Sequence, residues 1–152
     1  MKKPSTTLVF LTLFANHSFA YELNTINLYG ISYHTGMTTE ERSKLNEINT
    51  GLSYGRSLVD GNSRYMLDVG FFKNSYYDRA EWIGGTYTYT VTNFMGGVDI
   101  GVNARHWWTE NNTYPKKPFQ PYGVISINPK SYIKMNMLVR KSGPILFLSY
   151  DY

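Results

Sequence analysis

A strict period of two runs through this chain and limits what it can fold into. Large apolar side chains alternate with Gly, Ser, Thr and Asn, the pattern of strands with two unlike faces. Tyr29, Ile31 and Tyr33 share one face of the first run, and Gly30, Ser32 and His34 the other. In the second, Leu52, Tyr54 and Leu58 oppose Gly51, Ser53, Gly55 and Ser57. The third sets Tyr65, Leu67, Val69 and Phe71 against Met66, Asp68, Gly70, Phe72 and Asn74. The fourth sets Ile83, Tyr87, Tyr89 and Val91 against Gly84, Thr86, Thr88 and Thr90. Val98, Ile100, Val102 and Ala104 then oppose Asp99, Gly101, Asn103 and Arg105. A sixth run, at 122–128, alternates poorly, and the seventh sets Ile133, Met135, Met137 and Val139 against Lys134 and Asn136. The last carries Leu146, Leu148, Tyr150 and Tyr152 on one face.

A soluble sandwich also alternates, but its polar face meets water and carries Lys and Glu. Here the polar face is small (Gly, Ser, Thr), as a narrow closed lumen requires. Charge is nearly absent from the apolar face, where each would cost about 2–4 kcal/mol at a bilayer midplane. Arg56, near a strand end, is the exception. Connections alternate too. Long or medium polar links fall at 35–48, 77–81 and 107–118, and short ones at 60–62, 92–93 and 129–130. The short 141–143 link breaks the pattern. The expected fold is all-β: an eight-stranded antiparallel up-and-down barrel of the outer-membrane type, whose odd connections face outward.

Residues 1–20 read as a secretory signal rather than part of the fold. Lys2 and Lys3 precede an apolar run at 8–14 too short to span a bilayer, and Ser18 and Ala20 sit at the minus-three and minus-one positions of a cleavage site. Cleavage before Tyr21 leaves a single barrel domain, 21–152. The absence of Cys excludes a disulfide framework, thiol chemistry and a lipid anchor on Cys. With the export signal, it points to a bacterial envelope, and the aromatic C-terminus (146–152) is similar to the signal read by outer-membrane assembly machinery. The net charge of +4 is modest and belongs partly to the signal.

In this threading, His34 ends strand one and Asn74 and Ser75 end strand three, so both lie at the external rim. A neutral imidazole within reach of a hydroxyl can take its proton, as acyl transfer requires. An acyl chain could occupy the lumen below. The segment FFKNSYYDRAEW at 71–82 resembles that of the lipid A palmitoyltransferases of the outer membrane (PagP). The resemblance implies an eight-stranded barrel that moves a palmitoyl chain from phospholipid to lipid A. It makes His34, Asn74 and Ser75 the site residues, with Asn74 standing where the family has aspartate. The GVNAR stretch at 101–105 and Pro129 extend it thinly. The family's amphipathic N-terminal helix is not evident. An amide beside the histidine supplies no charge, and the equivalent change in serine proteases costs roughly 10⁴ in turnover. Asp78 or Asp68 could supply a carboxylate instead.

The implied partners are phospholipid, lipid A and the membrane, with no nucleic acid, no metal and no cofactor, in a monomeric barrel. His106 has no partner at metal-binding spacing. Plainer readings stand beside these. His34 is a lumenal hydrogen-bonding residue, and Ser75 a turn residue. Asp99, Asn103 and Arg105 form a packed polar network. Trp107, Trp108 and Tyr114 form an interfacial aromatic belt. Two other functions fit the same pattern: a non-catalytic surface barrel of the OmpX type, acting through 35–48 and 107–118, and a soluble periplasmic barrel holding a lipid.

Overall fold

The computed structural model describes residues 20–92, 96–109, 120–128 and 131–152. Apart from Ala20 the expected signal segment lies outside them, as do Tyr114, Pro129 and most of the fifth connection. Eight strands follow one another around a closed antiparallel barrel: β1 (Tyr21–Ser32), β2 (Ile48–Asp60), β3 (Ser63–Lys73), β4 (Arg79–Thr92), β5 (Val98–Thr109), β6 (Gln120–Ile127), β7 (Ile133–Val139) and β8 (Ile145–Asp151). A short helix, α1 (Thr39–Ser43), lies in the first connection. The alternation of the sequence does not foresee it. Thr38 caps it: its hydroxyl accepts from the Glu41 N–H, while the Glu41 carboxylate accepts from the Thr38 N–H. The barrel closes where β1 pairs with β8, from Thr25 opposite Asp151 to Ser32 opposite Ile145.

The apolar face of the alternation points outward. Leu28, Leu52, Leu67, Val69, Ile83, Val102, Met135 and Leu148 are among the exposed side chains, and every strand contributes at least one large hydrophobic. Tyrosines gather toward the end that holds the chain termini, where Tyr65 lies 5.1 Å from Tyr87 and Tyr150 stacks on Tyr152. The outward Arg56 is paired with Glu22 across β1 and β2.

In β1 the expected faces change midway. A register shift between Tyr29 and Ile31 resets the alternation, so Tyr29 turns inward while Ile31 and Tyr33 stay outside. Inward-facing Thr25, Asn27 and Tyr29 are thus followed by inward-facing Ser32 and His34.

The lumen is filled in two layers. Toward the terminal end, Asp151 accepts from both terminal nitrogens of Arg64 (2.7 and 2.8 Å), from Lys134 (2.5 Å) and from the Thr25 hydroxyl (2.7 Å). Above it a belt of small polar groups crosses five strands, each hydrogen-bonding the next: Ser53, Asn27, Ser149, Asn136 and Ser126. Toward the far rim the filling is aromatic. Tyr29 stacks between Phe72 and Phe147 and meets Trp82 edge-on at 5.0 Å. Arg105, fully buried, lays its guanidinium 4.5 Å from the Trp82 ring, donates to the Tyr29 hydroxyl and pairs with Asp68 at 3.4 Å. Two glycines make room for this layer. A Cβ on Gly70 would stand 2.5 Å from the Trp82 ring, and one on Gly84 2.9 Å from the Arg105 side chain.

Two expectations change here. Trp107 is not part of an outer belt: its ring packs 5.2 Å from Trp82 and donates to the Tyr122 hydroxyl inside the barrel, while its neighbour Trp108 is exposed. Asp99, Asn103 and Arg105 do line the lumen, but each bonds separately, to Thr90, Thr86, and Tyr29 with Asp68.

Removing Asp151 would take the carboxylate partner from the buried Lys134 and the half-buried Arg64. Asp151→Ala should therefore lower unfolding stability in urea by about 3–5 kcal/mol, the range for a buried ion pair that loses one partner. A change below about 1 kcal/mol would show that the Asp151 hub is not structural.

Candidate functional site

His34, Asn74 and Ser75 lie at one rim, the end opposite the termini, and all three are buried. The backbone holds them there. β1 continues past Ser32 through hydrogen bonds to the β7–β8 connection, with Tyr33 N–H donating to the Pro144 carbonyl and Thr35 N–H to that of Ser142. Gly143, at φ 121°, lies against the Tyr33 carbonyl, where a side chain could not fit. On the other side, Ser32 N–H donates to the Glu47 carbonyl. His34 is thus clasped between the first and last outer connections.

Asn74 builds the β3–β4 turn. Its side-chain oxygen accepts from the Tyr76 and Asp78 N–H groups at 2.8 and 3.0 Å, and its own N–H donates to the Asp78 carbonyl. Ser75 is presented from that turn, and its carbonyl accepts from the Asn46 N–H. The Asn46 side chain donates to the Asn74 carbonyl, and that of Asn49 to the Lys73 carbonyl. The first connection is therefore stitched to the end of β3 by three hydrogen bonds from one short segment, 46–49. Among the described residues, no hydrogen bond joins the His34 ring to the Ser75 hydroxyl.

The carboxylate facing His34 is one the alternation gives no reason to single out. Glu47 Oε1 lies 3.7 Å from His34 Nδ1, and Arg42 on α1 grips the same oxygen at 3.2 Å. The Arg42 hydrogen bond holds the Glu47 carboxyl below its ordinary range, so it is ionised at neutral pH. Arg42 in turn lies over the Tyr33 ring at 4.1 Å. Asp68, one alternative carboxylate, is engaged deeper in the lumen by Trp82 and Arg105. Asp78, the other, sits buried in the β3–β4 turn. Burial, with Arg140 adding to it and Glu47 opposing, pushes the His34 imidazole below its usual range, so it is neutral at pH 7.

Below the rim the described side chains fill the upper lumen. A cavity of about 40 Å³, room for a few waters, lies between Arg105 and Phe147 at one end and Arg64 and Lys134 at the other, and a wider one of about 340 Å³ opens past Arg64 and Lys134 toward the terminal end. The upper lumen, where an acyl chain is expected, is packed with aromatic side chains among the described residues. Among the described residues, no group of three His, Asp or Glu is placed to hold a metal. The site's groups are an imidazole, a hydroxyl, a turn amide and a carboxylate, a set suited to moving a proton. Comparison with protein-family models and with curated proteins finds no match to this chain.

Because folding depresses His34, the folded state binds fewer protons there than the unfolded chain. Stability contributed above the ordinary histidine value of about 6.5 should be lost as pH falls through the folded value. His34→Gln should flatten the pH dependence of thermal unfolding below about pH 6.5. An identical slope in wild type and variant would show that His34 is not the depressed group.

Proposed function

We propose that this protein is an integral outer-membrane barrel with a lipid-modifying site at its outer rim. The outward band of aliphatic and aromatic side chains, contributed by all eight strands, carries the membrane assignment. Contiguous apolar surface of that extent far exceeds what a soluble monomer exposes. A closed barrel is also the one sheet form that leaves no backbone edge to lipid. The Arg56–Glu22 pair reduces the cost of the charge on the outer face. The signal-like residues 1–20 support export to the envelope.

The rim reading is ester exchange from phospholipid to lipid A. The placement of buried His34, Asn74 and Ser75 at the same end supports it. A lipid A hydroxyl would attack the phospholipid ester carbonyl while the neutral His34 takes its proton. The tetrahedral adduct would then collapse, the C–O bond to the lysophospholipid breaking as the imidazolium returns that proton to the leaving oxygen. Ser75 would hold the reacting hydroxyl, and Asn74 would act through the turn that sets Ser75. One observation favours a second reading, a non-catalytic surface barrel: among the described residues the upper lumen is packed with aromatic side chains where an acyl chain would lie.

Heat-modifiable migration on gels is expected for the mature chain, and a soluble, non-modifiable protein would end the membrane assignment. Lipid A from expressing cells should gain the mass of one acyl chain. His34→Ala should reduce that gain by about 10²–10⁴-fold. Unaltered lipid A beside a correctly folded barrel would leave the non-catalytic reading in its place.

A further inference from the structure

We propose that Glu47 is the positioning carboxylate for His34, supplying from the first connection the charge that Asn74 lacks. The inference rests on the rim reading for its chemical meaning, but its geometry stands independently.

Three observations converge on it. His34 Nδ1 is buried and has no hydrogen-bond partner, and the Glu47 carboxylate stands 3.7 Å away. Glu47 is fixed rather than free to swing: its carbonyl is tied to the Ser32 N–H, its carboxylate to Arg42. Its neighbours Asn46 and Asn49 are pinned to the end of β3. Asn74, by contrast, uses its side-chain oxygen to close its own turn. A carboxylate beside Nδ1 favours the tautomer with the proton on that nitrogen. Nε2 is then left as the basic atom, and the imidazolium is stabilised once formed. That is the task an aspartate next to a catalytic histidine performs, here assigned to the opposite side of the ring's surroundings.

Three charged groups act on the ring: Glu47 raises its proton affinity, while Arg140 at the end of β7 and Arg42 on α1 lower it. Burial lowers it most. Neutralising Glu47 removes the opposing charge, so the midpoint must fall.

The test is an NMR titration of imidazole ¹⁵N and carboxyl ¹³C signals in the mature chain folded in detergent micelles, with His34 assigned by its loss in His34→Gln. In the wild type, the Glu47 carboxyl signal should show a second step at the His34 midpoint, since coupling is reciprocal. Glu47→Gln should lower that midpoint by about one unit, Glu47→Asp should restore most of it, and Asp78→Asn should leave it in place. The absence of the second step, an unmoved midpoint in Glu47→Gln, or a shift produced by Asp78→Asn instead would overturn the proposal. The wild-type measurement decides the matter even where a variant fails to fold. Lipid A mass spectrometry on the same strains reads the enzyme assignment separately: unmodified lipid A with an intact Glu47–His34 coupling would remove the activity and keep the pair.

Discussion

The sheet must close on itself between β1 and β8, and the contents of the barrel follow from that closure. Eight strands give a lumen just wide enough to be filled by side chains. Every inward group must then find its partner inside, because outward-facing residues cannot contribute to a shared core. The interior meets most of this demand in two ways, though among the described residues Arg105 Nε and Nη1 and Asp68 Oδ1 have no hydrogen-bond partner. At the terminal end, one carboxylate, Asp151, satisfies Arg64, Lys134 and Thr25 together. Toward the rim, the rings of Tyr29, Trp82 and Trp107 lie against the buried Arg105 guanidinium, and Asp68 both pairs with Arg105 and accepts from Trp82. Asp151 also pairs across the closing seam with Thr25, so the hub and the seam are one structure.

The alternation of the sequence is enough to read the strands, their faces and the closed architecture, because a period of two leaves little freedom once one face is small and polar. Three features escape it for separate physical reasons. Tyr29 sits inside because a register shift falls between it and Ile31, and an irregular residue resets the face of everything before it. Trp107 and Trp108 are adjacent and therefore point oppositely, which a reading of them as a joint belt ignores. Glu47 lies in a connection, where no periodicity specifies direction. Its position depends on how the first connection folds back through α1 and Asn46.

Among the described residues, ring stacking and the buried Arg105 fill the lumen beneath His34. The rim itself is well ordered by backbone: Gly143 presses one connection against Tyr33, and Asn46 ties another to the β3–β4 turn. A site assembled from three connections is ordinarily soft. Here each connection is anchored to the next by main-chain hydrogen bonds, which hold side chains more firmly than contacts between mobile loops.

The amide at position 74 then carries a different meaning from the one that the resemblance, with an aspartate there, suggests. Its oxygen is engaged by two backbone N–H groups of its own turn, and a carboxylate in that conformation would be engaged by the same two donors. The position thus serves geometry, placing Ser75, and a negative charge there would be partly neutralised by the turn before it reached the imidazole. The segment 46–49 has the complementary arrangement. Asn46 and Asn49 bind the end of β3, while Glu47 between them turns toward His34. One short run of residues therefore both fixes the serine-bearing turn and brings a carboxylate to the histidine, linking the two halves of the rim through a single piece of chain.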